Sequence, residues 1–424
     1  MFNLLHFGDK WKEFVDALPC RLAEDTRQLI LDVFSHHAAS LESSGALTLR
    51  HRKAQAICHR VLKPLRCLVR ERVTIQEIEL PKVEWEVQSF HGWLASDPTT
   101  ERQRDLRRND RIFRYLDQWD WGWLTKPGAI AFERALQRVV DERKGVGDAD
   151  MMRRVVHMET LGTALASAGD HYLLLQPGGL VRWFTVEEVA RSLHVPPRSA
   201  AMQCISEGGG LTELQAVEAL GEAVHVGVGR AWVKRLISQG RLRGPILRYG
   251  SACSGALDTV AASVAAEIEG RLQFEFASEI KAKRCAALSY GWASAGLMRE
   301  RCHSDARCPP ATTESRVDFW SLTSSCQAYS DRNHNASDED ARESLVDVYQ
   351  SLDYVRLRSP DVVFVENVAS ARVVRPLSAM LSALVQYEWE MCVCDALDVG
   401  GGPTARKRCY WVGRLRLDAA GPST

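Results

Sequence analysis

The rhythm of hydrophobic and polar positions changes near residue 246. Beyond it, short apolar runs alternate with stretches whose apolar residues recur at helical spacing. The runs are ILRYGSACSG, LQFEFASE, VDFWSLTSS, DVVFVENV, WEMCVCDAL and RCYWVGRLRL; the helical stretches run through Ala265, near 281–290, at 339–357 and at 376–386. Strands alternating with helices predict an α/β domain with a mostly parallel sheet and helices on both faces. Upstream, residues 27–40 (RQLILDVFSHHAAS) have helical spacing, and the first 170 or so residues read as mostly helical and irregular. The stretch LGTALASAGDHYLLLQPGG ends in a turn at Pro177-Gly178-Gly179. A helix is predicted from Thr185, an N-cap whose capping box Glu188 completes, ending at Pro196-Pro197. Another is predicted from about 212 to 238, before the Gly244-Pro245 break.

The chain has 424 residues, enough for two or three domains. Lys+Arg and Asp+Glu are 54 each, which excludes a wholesale polycation and an acidic disordered tail protein. Local charge is uneven. Residues 50–72 carry Arg50, Arg52, Lys53, Arg60, Lys63, Arg66, Arg70 and Arg72 against Glu71, and residues 102–114 carry six arginines against Asp105 and Asp110. Such clusters suit phosphate contacts, or are simply solvated helix surface. The knot of Trp119, Trp121 and Trp123 fits a core better than a stacking platform. No run is long and apolar enough to span a membrane, and MFNLLHFGDKWKEF lacks the layout of a secretory signal. The twelve cysteines form no CxxC pair, and Cys302, His303 and Cys308 are poorly spaced for zinc, so free thiols and no metal are expected.

Five places between 246 and 424 carry candidate chemistry. Tyr249-Gly250-Ser251-Ala252-Cys253-Ser254-Gly255 follows a strand and precedes a helix, where small residues let a ligand approach; alone it also fits an ordinary turn. Glu279 ends the next strand, where a carboxylate can accept from a ribose or simply face solvent. Cys326 lies beyond VDFWSLT among small neighbours, placed as an accessible nucleophile or a buried apolar thiol. Glu366 ends the apolar strand DVVFV, where its pKa should rise and the protonated form donate. In Pro403-Thr404-Ala405-Arg406-Lys407-Arg408, alternate arginines project to one side of an extended segment, suiting a base or phosphate.

Taken in order, these segments resemble the cytosine-C5 DNA methyltransferase family over about 245 residues. SACSGALD looks like its first S-adenosylmethionine (AdoMet) motif, Glu279 like the ribose carboxylate, and Asp305 like the acidic residue near the adenine. SSCQAYS resembles the nucleophile loop Pro-Cys-Gln-x-x-Ser, PDVVFVENV carries Glu-Asn-Val, and GGPTARKRCYWVG resembles Gly-x-Pro-Gln-x-Arg-x-Arg and its following strand. Two motifs that normally close the family's sequence stand upstream here. RWFTVEEVAR from Arg182 is similar to its Arg-x-Leu-Thr-x-Arg-Glu-x-Ala-Arg helix, and Ala219-Leu220-Gly221-Glu222-Ala223-Val224 to its Gly-Asn-Ser-Val motif. The order implies a circular permutation, with motifs nine and ten ahead of one to eight. It divides the chain into a target-recognition region (1–175), the permuted helices (176–245) and a catalytic domain (246–424). Ser325, Thr404 and Glu222 depart from the family's proline, glutamine and asparagine.

The resemblance implies a Rossmann-like AdoMet methyltransferase fold with a mostly helical amino-terminal recognition region. It implies cofactor contacts from Gly250, Ser251, Cys253, Ser254, Gly255, Glu279, Asp305, Glu222, Ala223 and Val224. It gives Cys326, Glu366, Arg406 and Arg408 the catalytic roles: Cys326 adds to C6 of a cytosine flipped from double-stranded DNA, Glu366 hydrogen-bonds its N3 edge, and Arg406 contacts O2. An RNA (transfer RNA) cytosine-C5 methyltransferase, and a catalytically silent regulatory protein binding AdoMet or DNA, are the alternatives. The expected location is nuclear in a eukaryote or cytoplasmic in a prokaryote, neither secreted nor in a membrane; oligomeric state stays open.

Overall fold

A computed structural model describes residues 73–81, 129–132, 156–157, 172–176, 180–304, 315–326, 329, 338–399 and 404–416. The expected helix at 27–40, both basic clusters, the tryptophan knot, the turn at 177–179 and Asp305 lie outside the described residues. The strands are β1 (Ile75–Glu77), β2 (Ala129–Phe132), β3 (Val156–His157), β4 (Tyr172–Gln176), β5 (Leu180–Trp183), β6 (Leu247–Ala252), β7 (Leu272–Ser278), β8 (Cys302–His303), β9 (Phe319–Leu322), β10 (Val362–Val368), β11 (Tyr387–Asp395) and β12 (Lys407–Leu415). The helices are α1 (Val186–Ser192), α2 (Ala200–Cys204), α3 (Glu213–Glu222), α4 (Val226–Ser238), α5 (Thr259–Ile268), α6 (Ala282–Trp292), α7 (Asp338–Arg358), α8 (Ala371–Ser382) and α9 (Ala396–Val399).

Eight strands form one sheet in the order β1-β11-β12-β10-β9-β6-β7-β8. From β8 to β10 every pairing is parallel; β12 runs antiparallel to both β10 and β11. This is the expected α/β class, a doubly wound order with its switch point beside β6. Alternation along β10 sorts the core into two layers. Val362 and Phe364 join the cluster shared with α1 to α6, while Val363 and Val365 join Trp320, Trp411 and residues of α7 and α8 on the other face.

Few residues of the amino-terminal part are described. Those that are form strand or loop: β2 to β5 make an antiparallel sheet in the order β3-β2-β4-β5, and the β4–β5 hairpin straddles residue 175. β1 joins the edge of the large sheet by pairing with β11. No described helix is long and apolar enough to cross a membrane.

The capping box at Thr185 is present: its Oγ1 accepts from the Glu188 N–H at 3.1 Å, and the Thr185 N–H donates to Glu188 at 2.8 Å. The single helix expected over 212–238 is two. Ala223 turns extended, and the Val226 N–H is captured by the Leu193 carbonyl at 3.0 Å, so α4 starts afresh against the end of α1. The helix expected from Pro376 begins five residues earlier. Ser370 caps it, and Pro376 lies within α8, where it has no N–H to give the helix ladder.

α4 packs on α5 through a glycine. A Cβ built at Gly229 would lie 2.2 Å from Ser263 Oγ and 2.8 Å from its Cβ. Gly229→Ala should therefore cost about 1–3 kcal/mol of stability, read as a lower urea midpoint. An unchanged midpoint would contradict this packing.

Candidate active site

The carboxyl ends of β6, β7, β9 and β10 open toward one rim of the sheet, and the start of β12 rises beside them. Cys326 lies four residues past β9 and is half-buried; its carbonyl accepts from the Tyr329 N–H at 3.0 Å, fixing a turn. Glu366 is buried on β10. It pairs across the ladder with Tyr410, so Arg408, two residues before Tyr410, shares its face. Arg408 Nε lies 3.2 Å from Glu366 Oε1, yet Oε1 has no hydrogen-bond partner, so the pair is held by charge without good alignment. Arg406 is buried; its guanidinium donates to the Gly221 carbonyl at 3.0 Å and its backbone N–H to Asp395 at 2.8 Å.

These four side chains act on one another. Burial pushes the Cys326 thiol up; Arg408 and Arg406 pull it down, while Glu366 and Glu222 add to the rise. Burial also raises Glu366, against the pull of Arg408 and Arg406. Arg406 falls to about 10, through burial first and then repulsion from Arg408. The site thus brings together a thiol and a carboxyl, both raised by burial, and two guanidinium groups. Behind them, Asn367 donates to Ser324 Oγ at 3.0 Å, tying the end of β10 to the loop that carries Cys326. Thr404, a departure from the family pattern, is buried and donates to the Ser192 carbonyl at 2.8 Å, anchoring the arginine segment to α1.

The second cluster surrounds the ends of β6 and β7. Gly250 is required by packing, since a Cβ there would sit 2.6 Å from the Phe276 ring. Ser251 and Ser254 share a hydrogen bond of 2.6 Å, and the Ser254 N–H donates to the Ser278 carbonyl at 2.9 Å, so both serines hold the loop. Cys253 has a φ of 54°, and its carbonyl accepts from Thr323 at 2.9 Å. Gly255 has a φ of 65° with nothing within 4 Å of where a Cβ would stand, leaving open space beside the backbone. Glu279 is buried, with one carboxyl oxygen accepting from the Lys281 N–H at 2.9 Å and its pKa raised by burial. Glu222 forms an ion pair with Arg284 at the start of α6, so its negative charge is compensated. Ala223 and Val224 form the break between α3 and α4. Asp305 lies outside the described residues.

Sequence reasoning missed Asp258, Arg284, Tyr410 and His225. Asp258 is buried at the cap of α5, where Oδ1 accepts from the Tyr249 hydroxyl at 2.7 Å and the Ala261 N–H at 2.9 Å while Oδ2 has no partner. Ser278 Oγ, Arg406 Nε, the Tyr410 hydroxyl and both ring nitrogens of His225 are likewise buried without partners. Only Asp258 had a sequence signal, a carboxylate in a cap position two residues after Ala256 in SACSGALD. Among the described residues no group of three His, Cys, Asp or Glu side chains could hold a metal.

No family model matches this chain, and no curated protein matches it. Solved structures do resemble it. The Dnmt2 methyltransferase of S. pombe is 18% identical, covering 40% of this chain and 51% of its own, with a TM-score of 0.30. The methyltransferase EhMeth of Entamoeba histolytica is 18% identical, covering 41% and 54%, with a TM-score of 0.29. A DNMT2 mutant from Spodoptera frugiperda is 18% identical, covering 42% and 52%, with a TM-score of 0.31. The chain spans about half the length of each. Likenesses of this size leave the chemistry to be read from the residues themselves.

Asp258 makes a testable signature. Burial lifts its carboxyl to about 6. The folded protein therefore holds a proton that the unfolded chain releases near pH 4. This contribution is present at low pH and lost as pH rises through 6, by roughly 3 kcal/mol. Asp258→Asn should flatten the fall in stability between pH 4 and 6, measured by urea unfolding at both ends. Parallel curves for the two proteins would contradict the assignment.

Proposed function

We propose that this chain transfers a methyl group from AdoMet to C5 of a cytosine in double-stranded DNA. The observation that carries the reading is the shared pocket of Cys326, Glu366, Arg406 and Arg408, each acting electrostatically on the thiol or the carboxyl. The residues around β6 and β7 fit the cofactor: open space at Gly255, a carboxyl at Glu279, and the unpartnered Asp258 Oδ2 and Ser278 Oγ. AdoMet, when bound there, supplies an electrophilic methyl group.

The chain's own residues do the rest. Cytosine C5 is a poor nucleophile until the ring is attacked. Cys326 as thiolate adds to C6, forming a C–S bond and pushing electron density toward C5 and N3. Glu366, whose pKa burial raises, donates from its protonated form at the N3 edge where that density collects. Arg406 and Arg408 offset charge on O2 and on the thiolate. After C5 gains its methyl group and loses its proton, the C–S bond breaks and the thiolate returns. The ring faces are covered in a stacked duplex, so the base must be flipped, at a cost of a few kcal/mol.

The reading includes the permutation. The end of α3 supplies the Gly221 carbonyl to Arg406 and Glu222 to Arg284, and only 239–246 separate α4 from β6. Such contacts support motifs nine and ten completing the pocket from an upstream position. Residues 1–175 are proposed to recognise the target.

Purified protein incubated with labelled AdoMet and unmethylated duplex DNA should incorporate label into 5-methylcytosine. Cys326→Ser should abolish transfer, and Glu366→Gln should lower it about 10²–10⁴-fold. Because the thiol pKa is raised, the wild-type rate should climb as pH rises above neutral. Label appearing in transfer RNA alone would move the substrate to RNA. DNA binding without transfer would point to a silent regulator.

A further inference from the structure

A second charged cavity lies at the opposite end of the sheet. Arg414 pairs with Val362 at the start of β10, whereas Glu366 stands four residues along, roughly 13 Å away. The cavity, of about 730 Å³, is lined by Val73, Thr74, Gln76, Glu388, Arg414 and Arg416 among others. Parity explains this wall. In the ladders joining β1, β11 and β12, Gln76, Glu390 and Arg414 fall on the face that α4 covers farther in, and Glu388 shares it. β1 extends the sheet beyond α4, with Thr74 and Gln76 exposed.

The charges in this wall do not balance. Glu390 is buried and accepts two hydrogen bonds of 2.9 Å from Arg235, with Arg414 at 3.1 Å. Burial opposes its ionisation, but those arginines outweigh it and hold the carboxyl below its ordinary range. Glu388 is half-exposed and sits 3.7 Å from Arg414 and 3.8 Å from Arg241, too far to hydrogen-bond either. Four arginines thus face two glutamates. Arg416 has no acidic partner among the described residues, and the buried Nε donors of Arg414 and Arg416 make no hydrogen bond. Buried guanidinium donors without acceptors are costly to leave so, and they match phosphate oxygens in geometry and charge.

We propose that this cavity binds phosphate groups, through Arg414 and Arg416 at its inner wall. Its volume exceeds a single phosphate and suits a polyphosphate or a stretch of nucleic-acid backbone. The site is separate from the proposed methyl-transfer pocket and does not depend on that reading.

The test uses the full chain with two probes, inorganic tripolyphosphate and a short DNA duplex, each titrated by calorimetry at low and moderate salt. Arg416→Gln removes a cation that has no acidic partner among the described residues, and Thr74→Glu places a negative charge on the exposed strand. Thermal unfolding checks that both variants fold. Tripolyphosphate binding should weaken about tenfold or more in each variant. If duplex binding weakens instead, the phosphates are those of a nucleic-acid backbone, and the proposal stands with that source. If neither probe binds saturably, or both bind the two folded variants as they bind the wild type, the proposal is overturned.

Discussion

The antiparallel pairing of β12 with β10 sets where every charged group of the proposed catalytic pocket lies. Glu366 faces Tyr410, and the period of two places Arg408 and Arg406 on the same side. A slip of one residue would bring Lys407 and Cys409 to that face and turn both arginines into the opposite layer, where Cys409 and Trp411 now pack. The register is secured on both sides of the strand. On one face Phe364 and Tyr410 join one hydrophobic layer; on the other Val363, Val365, Cys409 and Trp411 join the second. Side-chain packing deep in the sheet therefore determines the electrostatics at its rim.

That rim is completed from far away in the chain. Arg406 is buried and repelled by Arg408, so it needs both a countercharge and an acceptor. Glu366 supplies the first and the Gly221 carbonyl the second. Thr404 bonding to Ser192 fastens the same segment to α1. The upstream helices thus hold the arginine in place, and the glycine contact between α4 and α5 brings them close enough to do so. Desolvation then raises both the thiol and the carboxyl, and the neighbouring guanidinium groups pull both back down.

Much of this was legible in the sequence because it depends on local rules. Strand runs ending in Glu279 and Glu366, the cap at Thr185, and the alternation of Arg406 and Arg408 follow from periodicity and capping alone. What escaped depends on tertiary partners. The break at Ala223 exists because the Leu193 carbonyl captures the Val226 N–H, a contact no local pattern encodes. Pro376 reads as a helix start, but Ser370 offers an earlier cap. The sequence also does not show that Gly250 makes room for Phe276 and that Ser251 and Ser254 brace the loop. Glu222 and Thr404 looked like departures; Arg284 and Ser192, distant in sequence, give each a partner. The strands β1 to β5 carry too few residues each for a period to stand out from their surroundings.

The central claim is a covalent bond between one sulfur and one pyrimidine, and it can be seen directly. A duplex carrying 5-fluorocytosine keeps the attack at C6 and the methyl transfer but replaces the departing C5 proton with a fluorine that cannot leave as a cation. Incubated with AdoMet, the wild-type protein should form a complex that survives denaturation, and peptide mass spectrometry should locate the nucleotide on Cys326. A duplex that is methylated at ordinary cytosines yet never trapped, or an adduct on another cysteine, would contradict the account.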